Sequence, residues 1–171
     1  MKRITIIGNT GSGKSTLAEK LGKILNIPVY HLDSIYWKPG WLKEDTDALT
    51  EQVRRITETE EWIIEGNYRG TMADRFERSD LILFLNIPLA QCIKNIKIRD
   101  KSGLFTGMPN GKPNYDPQNP NQVLQDLIGL AETYDRRYAE VNKLLGKHKT
   151  KVVELKSRQE ISRFIKPLTG L

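Results

Sequence analysis

The sequence contains little of several features that mark large classes of protein. Its 171 residues include one cysteine, Cys92, so an internal disulfide is excluded and a reducing compartment is favoured. No apolar stretch approaches the ~20 residues of a membrane-spanning helix. The sequence shows no recognition-helix pattern, zinc-ligand spacing or continuous basic stripe, and no Asn-Lys-x-Asp element of a GTPase. We expect Cys92 to pack in the core rather than act as a nucleophile.

Length and charge indicate one globular domain that binds an anion. With 38% apolar residues the chain can bury a sizeable core, and we predict a single domain over residues 1–171. The 27 Lys and Arg against 21 Asp and Glu give a net charge of +6, which suits a nucleotide and also permits weak contact with DNA. Because the first predicted strand follows Met1 to Arg3 directly, we expect no signal peptide. We also expect a cytoplasmic protein without membrane attachment, either a monomer or a homodimer.

The strongest motif is a phosphate-binding loop. Residues 8–16 match G-x-x-x-x-G-K-[ST], directly after the apolar run 4–7 and before a helical pattern. Its glycines let successive backbone N–H groups face one centre at the positive end of a helix. We predict that the loop binds ATP with Mg²⁺, with Lys14 on the β/γ-phosphates and Ser15 on the metal, although the motif leaves ATP and GTP open. The predicted nucleotide-binding residues are Gly8, Asn9, Thr10, Gly11, Ser12, Gly13, Lys14, Ser15 and Thr16.

Short apolar runs alternate with longer amphipathic segments. We predict buried parallel strands over 4–7, 29–32, 62–64, 81–85 and 152–155, and helices over 14–25, 47–58, 88–99, 123–145 and 161–165. This alternation predicts a doubly wound α/β sheet with helices on both faces. Ligands of such sheets bind beyond the carboxyl ends of the strands. Polar residues directly after a strand are therefore the candidates for function.

Residues 101–121 differ in composition from the rest of the chain. The segment holds four prolines and few aliphatic residues, which predicts a loop. It is longer than a plain connection in a compact domain, so it is either a mobile cover over a ligand or a disordered segment. We favour the cover, a lid over about residues 100–122.

Two carboxylates follow predicted strands. Asp33 comes after the second strand, where it can bind a phosphoryl acceptor and take its proton, or hold magnesium through water; the alternative is a helix cap. Glu65 closes the third strand, so we predict that Glu65 and Ser15 organise Mg²⁺; the alternative is an ordinary strand-to-helix turn. His31 lies within the second predicted strand, and we expect a satisfied core histidine.

The acceptor-binding candidates are polar or aromatic residues near these strand ends. An amide after the third strand offers both a donor and an acceptor, and an arginine can bind a carboxylate or phosphate with two parallel hydrogen bonds. The aromatic residues beside Asp33, which include Trp41, either stack on a ring of the acceptor or plug the space under a loop. The predicted acceptor-binding residues are Asp33, Tyr36, Trp37, Asn67, Arg69 and Arg75.

Three arginines bracket the proline-rich segment. Arg99 precedes it, and Arg136 and Arg137 follow it in the next predicted helix. Guanidinium groups stabilise the charge of a transferring phosphoryl group when a cover closes and excludes water. We therefore predict that Arg99 and one of Arg136 and Arg137 take part in catalysis with Lys14 and Asp33; the alternative is solvated surface charge.

The combination of motifs resembles the DNA topology modulation protein family, small P-loop proteins related to adenylate kinase and other nucleoside and nucleotide kinases. The likeness covers roughly the first hundred residues. It implies a three-layer P-loop NTPase fold with a five-stranded parallel sheet, ATP with magnesium, and arginines in a lid. This chain has Glu65 where the family usually has an aspartate, and its lid region is poorer in arginine. The matching segments are the phosphate loop, His31-Leu32-Asp33, Tyr36-Trp37, Pro39-Gly40-Trp41, Trp62-Ile63-Ile64, Gly66-Asn67-Tyr68 and Leu83-Phe84-Leu85 with Pro88.

Two functions follow from these observations. The first is an ATP-dependent phosphotransferase that acts on a small molecule or a nucleotide. The second is a nucleotide-binding regulator that influences DNA topology without kinase activity. The positive net charge permits direct DNA contact, but no DNA-binding motif supports it.

Overall fold

The computed structural model of the protein describes residues 1–38, 42–101 and 121–169. The expectations for Pro39, Gly40 and Trp41, and nearly all of the predicted lid, concern residues outside these ranges.

Five parallel strands form the central sheet, in the order β2-β5-β1-β6-β7. All five predicted strands are present to within a residue or so, and the predicted end of the second strand at Leu32 is instead the first residue of a helix. A separate antiparallel pair joins β3 and β4, with Trp37 opposite Lys43. The strands are β1 (Arg3–Gly8), β2 (Val29–His31), β3 (Trp37–Lys38), β4 (Leu42–Lys43), β5 (Trp62–Glu65), β6 (Leu81–Leu85) and β7 (Val152–Leu155).

Helices connect the strands. Several ends follow the local sequence: the Asp45 carboxylate accepts hydrogen bonds from the first turn of α3, and α1 ends at Asn26 in the left-handed conformation before Pro28. The α-helices are α1 (Lys14–Leu25), α2 (Leu32–Tyr36), α3 (Thr46–Thr57), α4 (Met72–Arg78), α5 (Leu89–Lys101), α6 (Gln122–Glu132), α7 (Tyr134–Arg137), α8 (Ala139–Lys147) and α9 (Arg158–Ile165); 3-10 turns lie at Arg69–Thr71, Lys149–Lys151 and Lys166–Thr169.

The prediction of one continuous helix over residues 123–145 is wrong. The segment forms three helices, because the chain leaves helical geometry at Thr133 and again at Tyr138. The Thr133 hydroxyl donates to the carbonyl of Gly129 at 2.7 Å and also accepts a hydrogen bond from Arg137 Nε at 3.0 Å. Such side-chain hydrogen bonds to the backbone compete with the helical pattern, and a regular apolar spacing does not reveal them.

Apolar residues cover both faces of the sheet. On one face Ile4, Ile6 and Leu83 pack against α1, α5 and α9. On the other face Ile7 and Ile82 pack against α4 and α8, and Trp62 with Ile64 packs against α3. The result is three layers, with the sheet buried in the middle.

The strand order fixes where a ligand can bind. The central strand β1 lies between β5 and β6, and the chain adds strands first on the β5 side and then on the β6 side. At such a switch point the connections leave in opposite directions and open a crevice beyond the carboxyl ends of the strands. The phosphate-binding motif begins at the last residue of β1, and so lies in that crevice. No helix among the described residues is long and apolar enough to cross a membrane.

The central position of β6 gives a test of this core. Replacement of Leu83, which is fully buried, by alanine removes apolar contacts on the α1 face and should lower the free energy of unfolding by about 3 kcal/mol. The matched Ile98→Ala change on the exposed side of α5 should cost less than about 0.5 kcal/mol. Urea unfolding of both variants measures the difference, and equal losses would contradict this arrangement of layers.

Candidate active site

The turn from β1 to α1 has the shape of an anion-binding loop. Gly11 has φ +78°, and a Cβ atom there would lie 2.5 Å from the carbonyl oxygen of Cys92, so the turn packs against α5 too closely for any side chain. Lys14 Nζ donates to the carbonyl of Asn9 at 3.0 Å, which holds its ammonium group over the loop. No side chain caps the start of α1, and the buried hydroxyl of Ser12 has no partner among the described residues. The residues present therefore fit a bound polyphosphate.

A buried carboxylate connects this loop to the neighbouring strands. Glu65, the last residue of β5, is 4% exposed, and its Oε1 atom accepts a hydrogen bond from Ser15 Oγ at 2.9 Å. The same oxygen lies 2.8 Å from His31 Nδ1, and His31 Nε2 lies 2.7 Å from a carboxylate oxygen of Glu19. The prediction from the sequence that His31 is a core histidine is wrong. The side chain is half-buried and bridges the carboxylates of Glu65 and Glu19.

The protonation states follow from these contacts. The hydrogen bond to Glu65 is the main cause that raises the pKa of His31 to about 9, against the effect of its partial burial. Burial works to raise the pKa of Glu65, but the hydrogen bonds from His31 and Ser15 and the charges of Lys14 and His31 outweigh it, so this pKa lies below its ordinary value. At neutral pH the pair is a carboxylate and an imidazolium. Ser15 and Glu65 thus offer two oxygen atoms to a hard cation beside the phosphate loop.

Asp33 lies in the first turn of α2, directly beyond the carboxyl end of β2. Its Oδ1 atom accepts a hydrogen bond from the hydroxyl of Tyr68 at 2.8 Å. The pKa of Asp33 is raised, mainly by desolvation and then by the charge of Glu65. The hydrogen bond from Tyr68 and the charges of Lys14 and Arg99 lower this pKa but do not outweigh these causes. Its side chain remains accessible to solvent, as expected on the floor of an open cleft. Asp33, Glu65, Lys14 and Arg99 therefore belong to one electrostatically coupled group.

The helix-cap alternative for Asp33 is wrong. The residue in the cap position of α2 is His31, and no side chain caps that helix. Asp33 lies one residue inside the helix, and its carboxylate is turned to Tyr68. The carboxylate is thus available at the cleft.

Aromatic rings form one side of the cleft. The ring of Tyr36 lies 5.0 Å from that of Trp37, edge to face, and 5.0 Å from that of Tyr68. The Lys43 ammonium lies 5.8 Å from the centre of the Trp37 ring. All three rings are half-buried, and those of Tyr36 and Tyr68 pack against the core cluster of Leu32 and Trp62. The two alternatives for this cluster, stacking on an acceptor or plugging a gap, both stay predictions.

The arginines predicted for catalysis lie in two places. Arg99 is on α5, and burial lowers its pKa while the charges of Asp33 and Glu65 raise it, which places it near both carboxylates. Arg137, on α7, donates a hydrogen bond to the carbonyl of Leu130 on the preceding helix α6 at 2.6 Å. Arg136, beside it on α7, is exposed.

A second cationic group stands at the start of the 3-10 turn. Arg69 Nη1 donates to the carbonyl of Arg137 at 2.9 Å, and the guanidinium groups of both arginines stack on the ring of Tyr138, at 5.7 and 5.3 Å. Arg69 is exposed and keeps further N–H donors for an anion. The 3-10 turn and α7 therefore meet at a cationic corner of the cleft.

Two of the predicted acceptor-binding residues do something else in the structure. Asn67 forms hydrogen bonds with the backbone of Gly8, and Arg75 is completely buried. Neither side chain is turned to the cleft. Sequence reasoning also missed the role of Tyr68, although its position in the short segment after β5 was a usable signal. It missed Asn95 as well, which donates to the carbonyl of Gly11 at 2.8 Å and had no signal in the sequence.

The overall architecture is that of known small kinases. A shikimate kinase from Acinetobacter baumannii, solved in complex with shikimate, aligns over 99% of this chain and 94% of its own, with a TM-score of 0.55 and 14% identity. A gluconokinase from Sinorhizobium meliloti 1021 aligns over 99% and 90%, with a TM-score of 0.53 and 16% identity. An uncharacterized protein from Eubacterium ventriosum aligns over the full length of both chains, with a TM-score of 0.53 and 16% identity.

These comparisons establish the fold. No protein-family model and no curated protein matches the sequence. The structural likeness confirms the predicted three-layer P-loop fold with five parallel strands. The resemblance to the topology modulation proteins stays a prediction.

The His31–Glu65 pair makes stability depend on pH. Because the pKa of His31 is about 9 in the folded protein and about 6.5 in an unfolded chain, the pair's contribution is full below pH ~6.5 and is lost as the pH rises through 9. His31→Leu should therefore be less stable than the wild type at pH 6.5, and the difference should shrink towards pH 9.5. Thermal unfolding at a series of pH values tests this, and a difference that stays constant would refute it.

Proposed function

We propose that the protein is an ATP-dependent kinase that transfers the γ-phosphoryl group to a hydroxyl group of a small molecule. The observation that carries the proposal is Asp33, whose carboxylate accepts a hydrogen bond from Tyr68 and is acted on by the charges of Glu65, Lys14 and Arg99. Solved kinases of this fold include a shikimate kinase and a gluconokinase, which act on small molecules as their names state. Their likeness supports the class of reaction and leaves the acceptor of this chain open.

The donor side is formed by the phosphate loop. The backbone N–H groups of the loop and the Lys14 ammonium would hold the triphosphate, and Ser15 with Glu65 would hold Mg²⁺. The described residues contain no group of three or more His, Cys, Asp and Glu that could hold a metal alone, so the phosphates would complete its coordination. Bound MgATP supplies the transferable phosphoryl group and neutralises part of its charge.

The acceptor atom is a hydroxyl oxygen rather than a phosphate oxygen. Two carboxylates, Asp33 and Glu65, act on the same part of the cleft and would repel an anionic nucleophile. A hydroxyl group instead can donate its proton to Asp33. Because the pKa of Asp33 is raised, this carboxylate is a stronger base than an ordinary aspartate.

The proposed reaction transfers the γ-phosphoryl group from ATP to the acceptor hydroxyl, with Asp33 as the general base. The acceptor oxygen forms a bond to the γ-phosphorus while the bond between that phosphorus and the bridging oxygen of ADP breaks, and Asp33 takes the hydroxyl proton. The hydroxyl of Tyr68 holds the carboxylate of Asp33 in place through its hydrogen bond to Oδ1. Arg99 would stabilise the charge of the transferring group, and we propose the same role for one of Arg136 and Arg137.

Loss of Lys14 tests the donor side. Lys14→Ala should abolish ATP-dependent phosphorylation of any acceptor found by screening hydroxylated metabolites and nucleosides for ATP consumption. Lys20→Ala, an exposed lysine on the same helix, should leave the rate unchanged. An unaltered rate in the Lys14 variant would refute the assignment.

The pH dependence tests the acceptor side. Because the pKa of Asp33 is raised, kcat/KM should fall on the acid side at a pH above the ordinary aspartate range of about 4. Asp33→Asn should lower kcat by about 10² to 10⁴ and leave the affinity for MgADP unchanged. Asp47→Asn, on the exposed start of α3, serves as the matched control. If Asp33→Asn retains wild-type kcat, another group is the base.

A further inference from the structure

The three residues that follow β5 contact both halves of the candidate site. Gly66 turns the chain out of the strand with φ +130°, where a Cβ atom would lie 2.9 Å from the side chain of Leu32. The next residue, Asn67, binds the phosphate loop, and Tyr68 binds the carboxylate of Asp33. One short segment therefore links the nucleotide side of the crevice to the acceptor side.

The Asn67 side chain replaces a missing backbone partner of Gly8. The pairing of β1 with β5 ends where the N–H of Gly66 donates to the carbonyl of Ile6 at 3.2 Å. Beyond that point, the N–H of Gly8 donates to Asn67 Oδ1 at 3.2 Å, and Asn67 Nδ2 donates to the carbonyl of Gly8 at 2.7 Å. A side-chain amide has the same donor and acceptor as a peptide group, so Asn67 extends the ladder by one pair to the first residue of the phosphate loop.

Arg75 binds the backbone of residues 66–68. Its guanidinium donates through Nη1 to the carbonyl of Gly66 at 3.1 Å and through Nη2 to that of Tyr68 at 3.5 Å, a longer contact. The side chain is 0% exposed, and burial lowers its pKa to about 9. Among the described residues no carboxylate forms an ion pair with it, and its Nε has no partner. The charge of Glu65 only partly opposes this effect of burial, so the hydrogen bonds to the carbonyls of Gly66 and Tyr68 are needed to offset the cost of burying the guanidinium.

We propose that Asn67 and Arg75 are positioning residues that hold the phosphate loop and Asp33 in one rigid frame. Asn67 holds the first residue of the loop through two hydrogen bonds, and Arg75 donates to the carbonyls on either side of Asn67. The hydroxyl of Tyr68 in turn holds the carboxylate of Asp33. Nucleotide affinity and acceptor alignment are therefore coupled through residues 66–68. The acceptor half of this inference rests on the proposed kinase activity, whereas the loop half does not.

The loop half is tested with Asn67→Asp in the full-length protein. The aspartate keeps the acceptor for the N–H of Gly8 but replaces the donor with an oxygen that faces the Gly8 carbonyl. Amide hydrogen exchange of residues 8–13 should become faster in the nucleotide-free protein, and MgADP binding measured by calorimetry should weaken about tenfold. The matched control is Asn86→Asp, since Asn86 also follows a strand but its side chain, within the described ranges, hydrogen bonds only to the exposed Glu154. Asn86→Asp should change neither measurement.

Arg75 is tested with Arg75→Lys and Arg75→Met. Lysine keeps the charge but not the two-pronged geometry, so it should give an intermediate loss of MgADP affinity, and methionine should give the larger loss. Circular dichroism checks that each variant is folded. If Arg75→Met does not fold, the MgADP affinities of Arg75→Lys and Asn67→Asp still test whether the two residues hold the loop.

The acceptor half is tested with Tyr68→Phe, which removes only the hydroxyl bound to Asp33. It should lower kcat about tenfold, with unchanged MgADP affinity and unchanged exchange of residues 8–13. Wild-type exchange and wild-type MgADP affinity in Asn67→Asp would overturn the proposal. A wild-type protein that binds MgADP but phosphorylates no acceptor would instead refute the proposed function, and the exchange experiment would still test the frame.

Discussion

The buried carboxylate of Glu65 is the constraint on which the site depends. A negative charge at the end of a central strand requires donors, and it has two, Ser15 from the phosphate loop and His31 from the end of β2. These bonds join three adjacent segments at the carboxyl edge of the sheet. Loss of either donor would leave the buried carboxylate with one hydrogen bond fewer. The hydrogen bond from Ser15 therefore ties the start of α1 to the end of β5.

The crevice is organised by opposite charges on its two sides. Lys14 and the start of α1 give the donor side a positive character, while Asp33 adds a second negative charge near Glu65. Two carboxylates in one cleft favour a neutral nucleophile that can lose a proton and disfavour an anionic one. The cationic corner of Arg69 and Arg137 lies apart from them, on the ring of Tyr138.

Sequence patterns predicted the elements well and the side-chain partners poorly. The phosphate loop follows from local chemistry, since Gly8, Gly11 and Gly13 all have positive φ angles that residues with side chains rarely adopt. The separation of α6, α7 and α8 was missed because Thr133 interrupts the helix through hydrogen bonds that apolar periodicity does not encode. Asn67 and Arg75 were predicted to bind the acceptor from their residue types and their positions after the third predicted strand. Their actual partners are backbone groups, which carry no signal in a sequence.

The sequence by itself determined the parallel sheet, the position of the phosphate loop and the carboxylates at the strand ends, because strand periodicity and glycine conformation are local properties of the chain. Only the tertiary structure decided which polar atoms meet. It paired Asn67 with Gly8, 59 residues earlier, and turned Asp33 towards Tyr68, 35 residues later. Such pairs depend on strand order and on the burial of each donor and acceptor, and these are fixed when the layers pack.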